Sequence, residues 1–99
     1  MTRRRAARVD GNHAALRKQA RDCGLFWLDT FQLGNGAPDA FVCRLGEWWA
    51  VEIKDPAQPP SRRRLTPDEK RWHAEAVDTQ DAPVAVVETL EELLGLWER

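Results

Sequence analysis

Tyrosine is absent from this 99-residue chain, and serine occurs once, as Ser61 in the stretch PPSRRR. The first absence excludes any mechanism with a tyrosine nucleophile. The second, with no GxSxG around Ser61, leaves acyl-transfer chemistry without support. Cysteine is scarce as well: Cys23 and Cys43 stand far apart with no CxxC, and both read as small core residues. The two histidines, His13 and His73, do not complete a zinc-ligand spacing with them. No apolar run approaches the roughly 18 residues that a membrane span needs. The opening MTRRRAARVD leads into no apolar segment with a small-residue cleavage site, so a cytoplasmic protein is expected.

What remains is ordinary globular composition, 42% hydrophobic and 31% charged. A chain of this size buries only about 60 to 65% of its unfolded surface, so one domain over 1–99 is expected, with no membrane or organic cofactor. Residues 1–8 read as a flexible basic arm. The formal charge of −1 conceals a division. Residues 1–65 hold twelve Lys/Arg against seven Asp/Glu, whereas residues 66–99 hold three against nine. Such separation can make one face attractive to polyanions while the whole stays nearly neutral.

Periodicity gives the order αβββαβα, an α/β sandwich in which helices flank a small mixed sheet. Asp10 precedes a first helix whose Leu16, Ala20 and Cys23 share a face and whose Gly24 is a stop. LFWLDTF (25–31) reads as a strand, and DAFVCR (39–44) and WWAVEIK (48–54) as a hairpin about Leu45-Gly46-Glu47. The proline-rich DPAQPPSRRRL forms a mobile loop. Thr66 and Pro67 then start a helix running to about Thr79. PVAVVE (83–88) is a strand, buried on both sides if central, and Thr89 with Glu92 forms a capping box for a last helix carrying Leu90, Leu93, Leu94 and Trp97.

The chemistry lies on WWAVEIK. A period of two puts Trp48, Ala50, Glu52 and Lys54 on one face and Trp49, Val51 and Ile53 on the other. The second set is wholly apolar and must face the core. Asp39, directly after Ala37-Pro38, pairs across the turn toward Glu52. Two carboxylates a few ångströms apart repel each other unless a proton or cation sits between them, and hard oxygen ligands suit Mg²⁺ or Mn²⁺. Such an ion lowers the pKa of a bound water and neutralises charge on phosphorus oxygens, while the Lys54 ammonium can hold the attacking water. The bare pattern also fits a plain reading, in which Asp39 caps a strand and Glu52 and Lys54 form an exposed cross-strand ion pair.

The stretch GNGAPDAFVCRLGEWWAVEIKD…PPSRRRLTPDEKRWH resembles the PD-(D/E)xK nuclease superfamily, most closely its VRR-NUC branch, the virus-type replication-repair nuclease domain. The resemblance covers about residues 9–98. It rests most specifically on Pro38-Asp39, Glu52-x-Lys54 and Leu65-Thr66-Pro67. It implies a restriction-endonuclease-like core and Mg²⁺- or Mn²⁺-dependent endonuclease cleavage of DNA. Asp39, Glu52 and the Ile53 carbonyl would hold the metal, and Lys54 would assist the water. Small stand-alone members act as dimers on branched DNA, which implies a homodimer on junction DNA here. Two positions depart from the family pattern. The first helix has no acid before Asp22, leaving Asp10, Asn12 and His13 as candidates for a supporting role. Glu69 stands where a glutamine is usual, and its place in a first helical turn also suits the helix dipole.

Arg62, Arg63 and Arg64, with Arg17, Lys18 and Arg21 of the first helix, are the expected contacts to the DNA backbone. Of the five tryptophans, Trp97 and Trp49 read as core; Trp48 and Trp72 could stack on bases or fill an interface, although packing under a helix is the commoner fate. Two other readings stand beside the nuclease: a non-catalytic nucleic-acid-binding module on the same fold, and an interaction module whose acidic second half, with Asp78, Glu91 and Glu92, docks a basic partner.

Overall fold

A computed structural model describes residues 10–98, so the expectation of a basic arm over 1–8 lies outside the described residues. Helix α1 (His13–Asp22) leads into strand β1 (Phe26–Asp29) and a 3-10 turn (Phe31–Leu33). Strands β2 (Ala40–Arg44) and β3 (Glu47–Ile53) follow, then helix α2 (Pro67–His73), strand β4 (Val84–Val87) and helix α3 (Leu90–Gly95). The sheet runs β1-β2-β3-β4, antiparallel except for the parallel β3/β4 pair. This is a small α/β protein with a helix, a four-stranded mixed sheet and further helices. No helix among the described residues is long and apolar enough to cross a membrane.

The core lies on one face of the sheet. Leu16 and Ala20 of α1 and Leu93 of α3 pack against Trp27, Val42, Val51, Ile53 and Val87. Burying each large aliphatic there contributes about 1.5–3 kcal/mol. The β2–β3 hairpin closes through Leu45 and Gly46, both at positive φ (51° and 84°), with Arg44 opposite Glu47. Two such residues give the tight turn whose twist matches the strands, so the expected three-residue turn is one residue shorter. Register then follows: Ala40 faces Val51, which sets Asp39 level with Glu52.

Several expectations are corrected. Asp10 lies three residues before the first residue of α1, whose N-cap is Asn12, and the Asn12 side chain serves the sheet and makes no cap bond. The strand over 25–31 shortens, since Thr30 and Phe31 turn their N–H groups onto the Asp39 carbonyl. The proline-rich loop contains a 3-10 turn, Pro60–Arg62. Helix α2 passes after His73 into a π-helical turn over Ala74–Asp78 and returns to α-geometry at Thr79, so the helical run reaches the expected end with an unexpected π segment inside it. Strand β4 is an edge strand, so Val86 is exposed. At α3, Thr89 accepts the Glu92 N–H, but the Glu92 carboxylate takes the N–H of Glu88, so the expected reciprocal box is only half formed. Cys23 is exposed in the turn after α1 and Cys43 is half-buried on the face opposite the core, so neither is a core residue; both are free thiols. Trp49 and Trp97 pack half-buried against the core, and Trp48 lies exposed rather than under a helix.

Candidate active site

The site begins with the backbone around Asp39. Thr30 Oγ1 donates to the Pro38 carbonyl at 2.7 Å, Pro38 is fully buried, and the Asp39 N–H donates to the Val51 carbonyl at 3.0 Å. The Asp39 carboxylate therefore has little freedom. Its Oδ2 accepts the N–H of Ile53 at 2.7 Å, which places it over the end of β3 beside Glu52. Glu52, 2% exposed, is as buried as the aliphatic core on the other face of its strand. The period of two holds, yet both faces are covered at this end. Ile53 and Val51 enter the core; Glu52 and Lys54 enter a cleft of about 480 Å³.

That cleft is lined by Asp10, Asp39, Glu52, Lys54, Arg62, Arg64 and Glu69, among others. Glu52 Oε1 is buried with no hydrogen-bond partner. Burial, followed by the neighbouring Asp39 carboxyl, holds Glu52 far above the ordinary carboxylate range, so it keeps its proton at neutral pH. Lys54 donates to Glu69 Oε1 at 2.9 Å, and both side chains are largely buried. Burial lowers the Lys54 pKa, but its bond to Glu69 and the charge of that group outweigh this and raise it. Burial likewise pushes Glu69 up, while the Thr66 N–H and Lys54 bring it below its ordinary value.

The first-helix candidates separate. Asp10 reaches the cleft; burial raises its pKa against the pull of Lys54, with Asp39, Asp55 and Glu69 adding to the rise. Asn12 Nδ2 donates to the carbonyls of Lys54 at 3.2 Å and Glu88 at 3.1 Å, tying the ends of the parallel strands β3 and β4 to the start of α1. His13 stays out of the cleft. It is buried between Trp27 and Phe31, and its Nε2 meets Asp29 Oδ1 at 2.9 Å. Asp29 also accepts from Trp27 and Arg17, and these bonds overcome burial to hold its pKa low.

The basic residues divide in the same way. Arg62 and Arg64 are exposed at the cleft and have no ion-pair partner among the described residues. Arg63 turns instead to Glu88 at 3.5 Å. Arg17 is held by Asp29 at 2.6 Å, Lys18 by Asp22 at 2.8 Å, and Arg21 by the Trp27 carbonyl at 3.3 Å. None of these three lines the cleft. What sequence reasoning missed is the contact of Glu69 with Lys54. The available signal was the capping box Thr66-x-x-Glu69, which fixes that carboxylate at the first turn of α2.

Among the described residues no three His, Cys, Asp or Glu side chains converge as a ready-made metal cage. The donor set nevertheless suits a hard divalent ion. Mg²⁺ sites typically use one or two carboxylates and take the remaining ligands from water and phosphate. Asp39 and Glu52 supply such a pair, and the unpartnered Glu52 oxygen is a buried acceptor in want of a cation or proton. Comparison of the chain with protein-family models, with curated proteins and with solved structures finds no match.

Proposed function

We propose that this protein is a divalent-metal-dependent endonuclease that hydrolyses DNA phosphodiester bonds, on a restriction-endonuclease-like sandwich of the VRR-NUC kind. The observation that supports this best is the buried Asp39/Glu52 pair with an unpartnered oxygen and the Lys54 amine alongside. Carboxyls packed this tightly destabilise a fold, and such arrangements cluster where chemistry needs them.

In this reading Asp39, Glu52 and the Ile53 carbonyl hold Mg²⁺ or Mn²⁺. When bound, the ion supplies an acidified water and charge neutralisation at the phosphate. The chain's own residues do the rest. Lys54 holds the water for in-line attack on phosphorus. As the water oxygen bonds to phosphorus its proton passes to solvent, the bond from phosphorus to the leaving ester oxygen breaks, and that oxygen gains a proton from solvent. Arg62 and Arg64, exposed at the mouth of the cleft, grip the flanking phosphates. Branched DNA presented to a homodimer belongs to the same proposal.

Incubation of plasmid and junction DNA with Mn²⁺ tests it. Wild type is expected to cleave, with losses of about 10²-fold or more in Asp39→Asn and Lys54→Ala, and abolition by chelator. That no three-acid cluster forms among the described residues favours one rival, a DNA-binding module without catalysis. Intact DNA with wild type, together with persistent gel shifts, would decide for that rival.

A further inference from the structure

Lys54 is the group whose placement the proposed chemistry depends on, and among the described residues no hydrogen bond from its own strand orients its amine. Its main chain is fixed at the end of β3 by an N–H bond to the Val87 carbonyl at 3.0 Å and by Asn12 on its carbonyl. The flexible stem beyond has one hydrogen-bonding partner among the described residues, Glu69. The same oxygen, Glu69 Oε1, also accepts the Thr66 N–H at 2.9 Å, while the Glu69 N–H donates to Thr66 Oγ1 at 3.2 Å. The carboxylate is thus locked by the helix start before it meets the lysine.

The helix start is itself seated. Gly36, at φ 82°, lies so close to α2 that a Cβ there would come within 2.2 Å of the Asp68 carbonyl oxygen and 2.8 Å of the Glu69 nitrogen. The loop that leads into Pro38-Asp39 therefore buttresses the backbone that carries Glu69. One rigid path runs from the metal-side loop through the first turn of α2 to the amine.

We infer that Glu69 is the positioning residue for Lys54, holding its ammonium beside Glu52 and making amine placement depend on the docking of α2. This rests on the nuclease reading of the site, in which Lys54 acts on the water. Glu69 in this role acts through Lys54. A displacement of about 1 Å in a reacting group can cost 10²-fold in rate, which sets the expected size of the effect.

The experiment compares Glu69→Ala, Glu69→Gln and, as a control, Glu92→Ala. Glu92 is the corresponding first-turn carboxylate of α3, which accepts the Glu88 N–H and lies away from the cleft. Glu69→Ala should lower kcat about 10²-fold with the Kd for DNA unchanged. Glu69→Gln, which keeps an acceptor oxygen, should recover to within about tenfold of wild type, and Glu92→Ala should cleave like wild type. A second readout needs no activity. The chain has three lysines, and acetic anhydride followed by mass spectrometry reports Lys54 against exposed Lys18 and Lys70. Lys54 should be protected in wild type and Glu69→Gln and lose that protection in Glu69→Ala. Unchanged Lys54 acylation in Glu69→Ala, or equal rate losses in Glu69→Ala and Glu92→Ala, would overturn the inference. DNA left intact by wild type would instead overturn the nuclease reading, with the acylation result still deciding whether Glu69 holds the amine.

Discussion

Glu52 shows at the scale of one residue what the site costs the fold. Its carboxyl keeps a proton in the folded state at pH values where the unfolded chain, near the ordinary value of 4.5, has lost it. Between those two points the folded state binds the extra proton, so stability is fully present below about pH 4.5 and declines as pH rises toward the folded pKa. Glu52→Gln removes that dependence. It should be more stable than wild type at pH 8 by roughly 1–3 kcal/mol, with the difference vanishing near pH 4, as read by urea denaturation across that range. An equal stability difference at both pH values would show that Glu52 carries no trapped proton. The identities of Asp39, Glu52 and Lys54 were legible in the sequence because a tight hairpin and a period of two suffice to bring them level. The burial of Glu52 was not. Strand parity assigns a side chain to a face but does not say whether that face is covered, and here α2 and the proline-rich loop cover it at one end only.

At the scale of elements, side chains that serve distant backbone decided what pattern reading could not. Asn12 sits where a helix cap is expected, yet it spends its amide on carbonyls 42 and 76 residues away, and the cap position goes without a side-chain bond. Local spacing carries no trace of such a choice. Asp10, two residues before Asn12, lines the cleft, which no periodicity indicates. Asn12→Ala should therefore destabilise the protein by about 1–3 kcal/mol, since two part-buried carbonyls lose a donor, and hydrogen exchange should rise first at the ends of β3 and β4. Protection unchanged there would mean that the clamp is decorative. Helix α2, by contrast, was legible from Thr66 and Pro67 alone, because a cap followed by proline is a local signal; its passage into a π-turn depends on packing and left no mark.

For the whole molecule, the sheet face away from the core is open at the end opposite the cleft. Phe26, Leu28 and Trp48 are 57%, 50% and 44% exposed, and Phe26 and Trp48 meet edge to face at 5.7 Å. With roughly 100 Å² from each aromatic, such a patch forms an apolar centre for the ~800 Å² per partner that a stable interface buries. If the proposed homodimer uses this face, sedimentation of Trp48→Ser should show a shift toward the 11.3 kDa monomer relative to wild type. Identical sedimentation of the two would place the contact elsewhere or remove it. The alternation of β3 placed Trp48 on this face; that Phe26 and Leu28 of β1 join it there, uncovered, follows from strand pairing and tertiary packing.

The central claim is that Asp39 and Glu52 together hold a divalent cation. An anomalous difference map from crystals soaked in Mn²⁺ tests it most directly. A peak is expected between the two carboxyls, about 2.0–2.2 Å from an oxygen of each, and is expected to be lost in Asp39→Asn. Carboxyls still paired to each other with no peak between them, at Mn²⁺ concentrations that saturate any activity, would contradict it.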